Sequence, residues 1–439
     1  MIVSVRGSLP VTPAAGRRPP GPAEKYSSAD DLLCWMGEQF DRFGDIYKAR
    51  IYGADSYVTR EPRHAQHVLR ENWQNYTKGQ AIKRIALLLG NGLMVSEGEF
   101  WRSQRKMIQP AFHRTVVESL GETMTAANVA LLRRWQEAAR AGENVNVTRD
   151  ISGMVLEVIL RSIFGGDYAE VAPHFNILSE ETARTLGFAQ AFRSFDRIII
   201  GLARQRRAQK KAATDILGML IEARDQKTGA AMPDRHLVNE IKTLIVAGHE
   251  TTASTLNWTW YLLSQHPEVE EKLSRELSIA GASEFPRMDQ LAKFTYTRQV
   301  IEEAMRLYPP GWLMTRKARG DDQLDEYFVP AGAEVYIAPY FIQRNPSLWP
   351  EPDRFNPDRF SADNSRDRQP LATLPFSAGP RVCTGEIFAR VEMQMHVMTI
   401  ASRIRLRATD STAPELAVGV NLRSKHDFIM KPELKASAR

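Results

Sequence analysis

Phe376-Ser377-Ala378-Gly379-Pro380-Arg381-Val382-Cys383-Thr384-Gly385 is a glycine- and proline-shaped loop opening onto an apolar helical stretch, and it carries one of only two cysteines in 439 residues. With no second cysteine nearby, Cys383 cannot close a local disulfide or form the corner of a Cys-x-x-Cys zinc site. Three roles remain for its thiol: a nucleophile, a single metal ligand or an inert core residue.

Phe376, Gly379, Arg381, Cys383 and Gly385 together resemble the haem-binding signature of the cytochrome P-450 family. The resemblance implies that Cys383 is the proximal thiolate ligand of the iron of haem b. A thiolate in that position favours O–O cleavage. It also implies that Gly379 and Gly385 let the backbone pass close to a flat porphyrin, that Phe376 belongs to the cofactor-binding loop, and that Arg381 reaches a propionate. Main-chain N–H groups aimed at the sulfur would stabilise its charge.

Upstream, Pro233-Asp234 starts a helical pattern that runs to His266, where Pro267 stops it, and Asp234 is the expected N-cap. Thirty-two residues at about 1.5 Å each give a helix roughly 48 Å long. Its middle is apolar nearly all round, so it should be buried. At its centre stands Ala247-Gly248-His249-Glu250-Thr251, similar to the family's oxygen-activation motif. That similarity implies a local widening of the helix beside the iron, with Glu250 and Thr251 as the acid and alcohol that deliver protons. Taken alone, a threonine bonded to its i−4 carbonyl and a surface glutamate would read the same way. Position in the family pattern also implies that Met94, Ala247, Gly311 and Leu313 line an apolar distal cavity, and that His249 occupies a variable position.

Glu303 and Arg306 stand three apart on a helix ahead of Tyr308-Pro309-Pro310, and Phe355-Asn356-Pro357-Asp358-Arg359-Phe360 follows. These resemble the family's buried charged triad, with Arg359 as third member, a structural group that fixes the cysteine loop. Haem brings two carboxylates, which arginine suits because it stays charged and binds bidentately. Trp101 and Arg105 match the family's Trp-x-x-x-Arg helix, and Arg316 matches a further propionate arginine. His64 and His67 have no third ligand near them and are expected on a surface helix. The cluster Arg204, Arg206, Arg207, Lys210 and Lys211 is expected as a solvated helix face.

Composition sets the frame: 43% hydrophobic and 25% charged residues suit a globular protein with a sizeable core. The net charge of +6 comes from scattered rather than striped basic residues, which argues against nucleic acid. The apolar start is too short to span a bilayer or to act as a signal peptide. With two distant cysteines, the expected compartment is the cytoplasm. Residues 1–22 are expected to form a proline-rich extended leader and 23–439 one domain, mainly α with a small β portion. In that cytochrome P-450 fold, haem would lie between the long central helix and the Cys383 loop. A hairpin is expected over residues 46 to 59, and a second over 327 to 337. Helices are expected at 114 to 141, 150 to 164, 267 to 279 and 290 to 307. The interval from Phe164 to Asp215, where the family roofs its substrate pocket, is expected to be short.

The function the resemblance implies is a haem-thiolate monooxygenase that uses O2 on a lipophilic small molecule of secondary metabolism, hydroxylating or epoxidising it. Electrons would come from a separate ferredoxin or flavodoxin-type donor. A peroxide-using or isomerising haem-thiolate enzyme, or a non-catalytic haem-binding protein, is the alternative; neither needs Glu250 and Thr251.

Overall fold

The central helix Asp234–Gln265 runs the full expected length, and Leu237, Ile241, Leu256, Trp258 and Trp260 bury its opposite faces. The computed structural model describes residues 17–26, 31–175, 186–210, 212–281, 286–410 and 412–435. Within them, Val147–Phe164 packs along the central helix, and Gly248 permits the close approach: a Cβ there would lie 3.1 Å from the Ile159 side chain. The start of the central helix differs from expectation. Asp234 is its first residue and Pro233 the cap. The Asp234 carboxylate accepts from Arg204 at 3.4 Å and from Arg207. Two guanidinium donors win over the helix's own N–H groups because charge-assisted hydrogen bonds are the stronger.

The expected helix over 114 to 141 is two, Arg114–Ser119 and Gly121–Ala141. The one expected from 290 begins at Thr295, after a 3-10 stretch at Met288–Lys293. Pro267–Ile279 stands as expected. Tyr168–Phe175 and Leu186–Gln209 provide two helices in the interval expected to be short; residues 176–185 lie outside the described residues.

Strands Ile46–Ile51 and Ala54–Thr59 form the expected hairpin. The second expected hairpin does not form. Tyr327–Val329 pairs with Asp322–Leu324, whereas Glu334–Ile337 lies in a six-stranded sheet, parallel to Ala54–Thr59 and antiparallel to Met314–Ala318. A turn signal tells where the chain reverses, but the strand partner is chosen by burial, and Glu334–Ile337 is buried throughout. Tyr76–Lys78 closes that sheet and sets Lys78 directly opposite Arg316. Residues 17–22 of the proline-rich segment lie on the body: Phe328 N–H donates to Arg17 O and Lys48 N–H to Pro20 O, each at 2.9 Å. Residues 1–16, and Pro10 and Pro13 with them, lie outside the described residues.

The apolar core falls into one cluster of helices and two around the sheet. Phe376 packs on the first, while Leu374 and Ala378 belong to a sheet cluster, so the cysteine loop bridges the helical and sheet parts. The solvated basic face is corrected at one position. Arg206 is only 5% exposed and is held by Asp167, Asp215 and the Phe164 carbonyl. Packing of its helix turns this one guanidinium inward, where two carboxylates offset its desolvation; Lys211 lies outside the described residues.

Inside the helical cluster, fully buried His396 accepts from Trp260 Nε1–H at 2.9 Å and donates through Nδ1 to Asn128 Oδ1 at 2.7 Å. Burial holds its pKa down at about 3. The unfolded chain takes up this proton as pH falls through about 6.5, and the folded chain does not until about 3. Stability from this group is therefore fully present above about 6.5 and lost as pH falls toward 3, by at most about 5 kcal/mol. His396→Gln should flatten the acid limb of thermal stability against pH by up to one proton. An unchanged slope would show that His396 is not held neutral.

Candidate active site around Cys383

The loop is folded by its own backbone. Val382 N–H donates to Gly379 O at 3.0 Å and Cys383 N–H to Phe376 O at 2.9 Å, and Leu374 N–H is held by the Gln343 side chain at 2.9 Å. Gly379 has φ +72°, and a Cβ there would fall 1.9 Å from Leu69 O. The left-handed turn and the close approach of the Leu69 backbone already require glycine here. Gly385 is different: the nearest atom to a Cβ would be 4.0 Å away, on Phe112. Phe376 lies under the Arg390 guanidinium, 4.6 Å from the ring centre.

The Cys383 thiol is reached by solvent yet surrounded densely enough that burial pushes its pKa up. Both hold for a thiol that opens into an internal slot. The Gly385 backbone N–H and Arg105 favour the thiolate, while Glu386 opposes it. Helix Glu386–Ala401 starts three residues on, with its positive end near the sulfur. The protein alone leaves this sulfur a thiol, and a metal would displace the proton.

Cations gather beside the loop. Arg105 donates to Val382 O at 2.8 Å and Thr384 Oγ1 at 2.5 Å, tying its helix Gly98–Ile108 to the cysteine. Arg381 stacks on Trp101 at 4.4 Å and pairs with Glu97. Arg316 donates to its neighbour's carbonyl, Thr315 O, at 2.9 Å, and among the described residues it has no carboxylate within 4.0 Å. Burial, then Arg381, pull its pKa down to about 10, partly offset by Glu97. Lys78, 7% exposed, donates to Leu93 O at 2.7 Å and Ser96 O at 3.1 Å, and burial pulls its pKa down to about 7. Like charges directly opposite on paired strands are destabilising, so Lys78 facing Arg316 favours an anion beside them, with Glu97 and Glu240 offsetting the repulsion in part. This chemistry fits the two propionates of haem, and a lone thiol opening into a slot fits a single axial ligand. Among the described residues no cluster of three or more His, Cys, Asp or Glu offers a metal site.

On the central helix, Thr251 Oγ1 donates to Ala247 O at 2.8 Å, and the helix is α-helical from end to end. The expected widening is therefore absent as a break in the helix. The hydroxyl instead occupies one lone pair of the Ala247 carbonyl, one turn back. Glu250 accepts from Asn421 Nδ2 at 2.7 Å. His249 is buried and bonds Ser152 of the neighbouring helix at 3.0 Å. Met94, Ala247, Gly311 and Leu313 are all half-buried. Met94 packs on the helical cluster and Leu313 on a sheet cluster, so the four do not share one packing group.

Glu303, Arg306 and Arg359 come together. Arg306 donates through Nε to Glu303 at 2.6 Å and through Nη2 at 2.8 Å, with its remaining donors on the carbonyls of Gln343, Pro352 and Arg354. Arg359 approaches Glu303 at 3.3 Å. Gln343, whose carbonyl takes one Arg306 donor, holds Leu374 with its side chain, so the triad reaches the cysteine loop through one residue.

The surface-helix reading of the histidines is corrected. His64 is buried, bonding Thr59 at 2.7 Å and Asp325 at 2.8 Å, while His67 bonds Asp322 at 3.0 Å. Each has its own carboxylate from residues far along the chain, which no local spacing reveals. Four residues in the site escaped sequence reading. Glu97 bonds Arg381 and the Lys78 N–H, Glu240 accepts from Leu93 N–H at 2.8 Å, and Lys78 and Asn421 act as above. Burial pushes the pKa of Glu240 up to about 7. Asn239, Lys242 and Thr243 stand beside Glu240 in the sequence, so no local signal marked it out.

The sequence model of the family Cytochrome P450 matches residues 25–180 and 167–427. The chain is 32% identical to cyclooctat-9-en-7-ol 5-monooxygenase of Streptomyces melanosporofaciens, over 92% of this chain and 94% of that one. It is 29% identical to pentalenene oxygenase of Streptomyces avermitilis, over 83% of this chain and 84% of that one. Among solved structures, retinoic acid-bound cyanobacterial CYP120A1 superposes with a TM-score of 0.86 at 24% identity, covering 96% of this chain and all of that one.

Proposed function

Since the chain belongs to the cytochrome P450 family, and is therefore a haem-iron monooxygenase that uses O2, a redox partner and a lipophilic substrate, we propose that it oxygenates a cyclic terpenoid. The observation that carries the site assignment is Arg316: a half-buried guanidinium, with no carboxylate within 4.0 Å among the described residues, close enough to the Arg381 of the cysteine loop to feel its charge. The terpenoid class rests on the names of the two Streptomyces relatives and on apolar residues at the expected pocket positions. Haem b, when bound, supplies reductive activation of dioxygen for insertion of one oxygen atom. Cys383 would hold the iron through its sulfur, whose charge the Gly385 N–H and Arg105 favour. Trp101, Arg105, Arg316 and Arg381 would hold the propionates. Thr251 presents a hydroxyl at the middle of a buried helix, where it passes protons that Glu250 collects from solvent. Apolar walls keep bulk water from this exchange. The electron donor is a separate ferredoxin or flavodoxin-type protein. An acidic one would find Arg70, Arg102 and Arg114 exposed on or close to the elements that flank the cysteine loop.

Pentalenene or cyclooctat-9-en-7-ol should perturb the ferric haem spectrum and yield a product heavier by one oxygen. Thr251→Ala should keep folding and haem content while raising hydrogen peroxide formed per NADPH about tenfold, in line with the loss of one positioned proton donor. Unchanged peroxide would remove Thr251 from proton delivery. A spin-state response to linear fatty acids but to no terpenoid would overturn the substrate class.

A further inference from the structure

Residues 250 and 251 are neighbours on a helix, so their side chains do not face each other. Glu250 is exposed, and a free glutamate side chain samples many rotamers. Something must hold its head if it is to hand protons inward at a fixed point. In the structure that holder comes from a part of the chain 171 residues away: Asn421 Nδ2 donates to Glu250 Oε2 at 2.7 Å.

Asn421 is itself placed by a rigid frame. It lies at the turn of the hairpin whose strands are Leu416–Val418 and Leu422–Ser424. Three hydrogen bonds pin that turn. Leu422 N–H donates to Pro310 O at 3.1 Å, Trp312 Nε1–H to Gly419 O at 3.0 Å and Ser254 Oγ to Leu422 O at 2.7 Å. Ser254 is one helical turn beyond Glu250, so the central helix meets the hairpin along the face that carries both. The hairpin is anchored at Ser254 and reaches back to Glu250. The next residue out, Val420, is 65% exposed, so the clamp sits where solvent begins.

We propose that Asn421 is the positioning residue for Glu250, fixing the carboxylate at the boundary between solvent and the helix interior so that it can feed Thr251. This deepens the proton-delivery role proposed above and rests on it. Asn421 touches neither substrate nor haem on this account and acts only through Glu250.

The test uses the full-length haem protein and four variants: Glu250→Gln, Asn421→Ala, Asn421→Leu, which keeps the side-chain volume, and the double variant Glu250→Gln with Asn421→Ala. The first readout needs no turnover. The carboxylate stretch of Glu250, assigned in the resting ferric protein as the infrared band lost in Glu250→Gln, should shift in both Asn421 variants. The second is hydrogen peroxide formed per NADPH with spinach ferredoxin and its reductase, with and without pentalenene. Asn421→Ala and Asn421→Leu should raise it several-fold, short of the rise in Glu250→Gln, and the double variant should match Glu250→Gln, because a residue acting through another adds nothing once that other is gone. An unmoved band, wild-type peroxide in both Asn421 variants, or a double variant with the two effects summed would overturn the role of Asn421 while leaving Glu250 in place. Wild-type peroxide in Glu250→Gln would overturn the relay itself, and the positioning role with it.

Discussion

Cys383→Ser should fold and still take up haem, but its reduced carbon monoxide form should lack the strongly red-displaced Soret band of a thiolate ligand, and monooxygenase activity should fall to background. The physical reason is the ligand's charge. A serine hydroxyl stays protonated where the thiol gives up its proton to a metal, so the electron donation that favours O–O cleavage disappears. The surroundings tolerate the change, since the loop's geometry rests on Cys383 N–H, Val382 N–H and the Gln343 side chain and not on the sulfur. If the displaced band persisted, the ligand would have to be Cys34, the other cysteine. That thiol lies exposed on helix Leu32–Phe43, where a hydrogen bond involving Asp31 raises its pKa. The charged groups acting on it are Asp31 and Glu38, with no arginine among them, whereas Arg105 and the Gly385 N–H favour the thiolate at Cys383, so Cys34 is the poorer candidate and the spectrum decides between them.

The second large effect is on stability. Glu303→Ala leaves Arg306 charged at 1% exposure with two of its donors unpaired, and should cost about 3–5 kcal/mol. The cost is high because the pair is closed to water: both side chains are 0% exposed, so solvent cannot replace the lost carboxylate. Arg306 also holds the carbonyls of Gln343, Pro352 and Arg354, and Glu303 holds the Asn356 N–H at 2.9 Å. Loss of the pair should therefore loosen residues 343 to 359 and, through Gln343 and Leu374, the cysteine loop. Denaturant unfolding should show the lower midpoint, and haem per protein should fall in step with it. The double replacement Glu303→Leu with Arg306→Met should recover part of the stability, because a buried pair exchanged for apolar groups of similar volume loses little. A cost for Glu303→Ala below about 1 kcal/mol would mean that the triad does not anchor this region.

The helices were readable because their determinants are local. The central helix Asp234–Gln265 shows its start in Pro233 and its stop in Pro267, and an apolar period too wide for a surface helix lies between. The hairpin over 46 to 59 was readable for the same reason, a turn between alternating runs. Strand partners were not. Glu334–Ile337 carries the same local letters whether it folds back on Tyr327–Val329 or joins the sheet beside Ala54–Thr59, and burial of its four side chains decides. Arg206 illustrates the same limit for charge: among basic neighbours on one helix, only contact with Asp167 and Asp215 distinguishes it.

By itself the sequence determined the helical class, the long buried helix and the lone cysteine that can serve as a metal ligand with Arg381 two residues before it, because each is written within a few residues of chain, whereas Arg105 and Arg316 were reached only through the family resemblance. Only the tertiary structure decided what those groups face. It set Arg381 on Glu97, Lys78 opposite Arg316, the triad on the loop through Gln343, and Asn421 on Glu250. The reason is that hydrogen bonds and ion pairs act over about 3 Å, while their partners stand tens to hundreds of residues apart, so the residue types fix which bonds are possible and the packing of helices against the sheet fixes which are made.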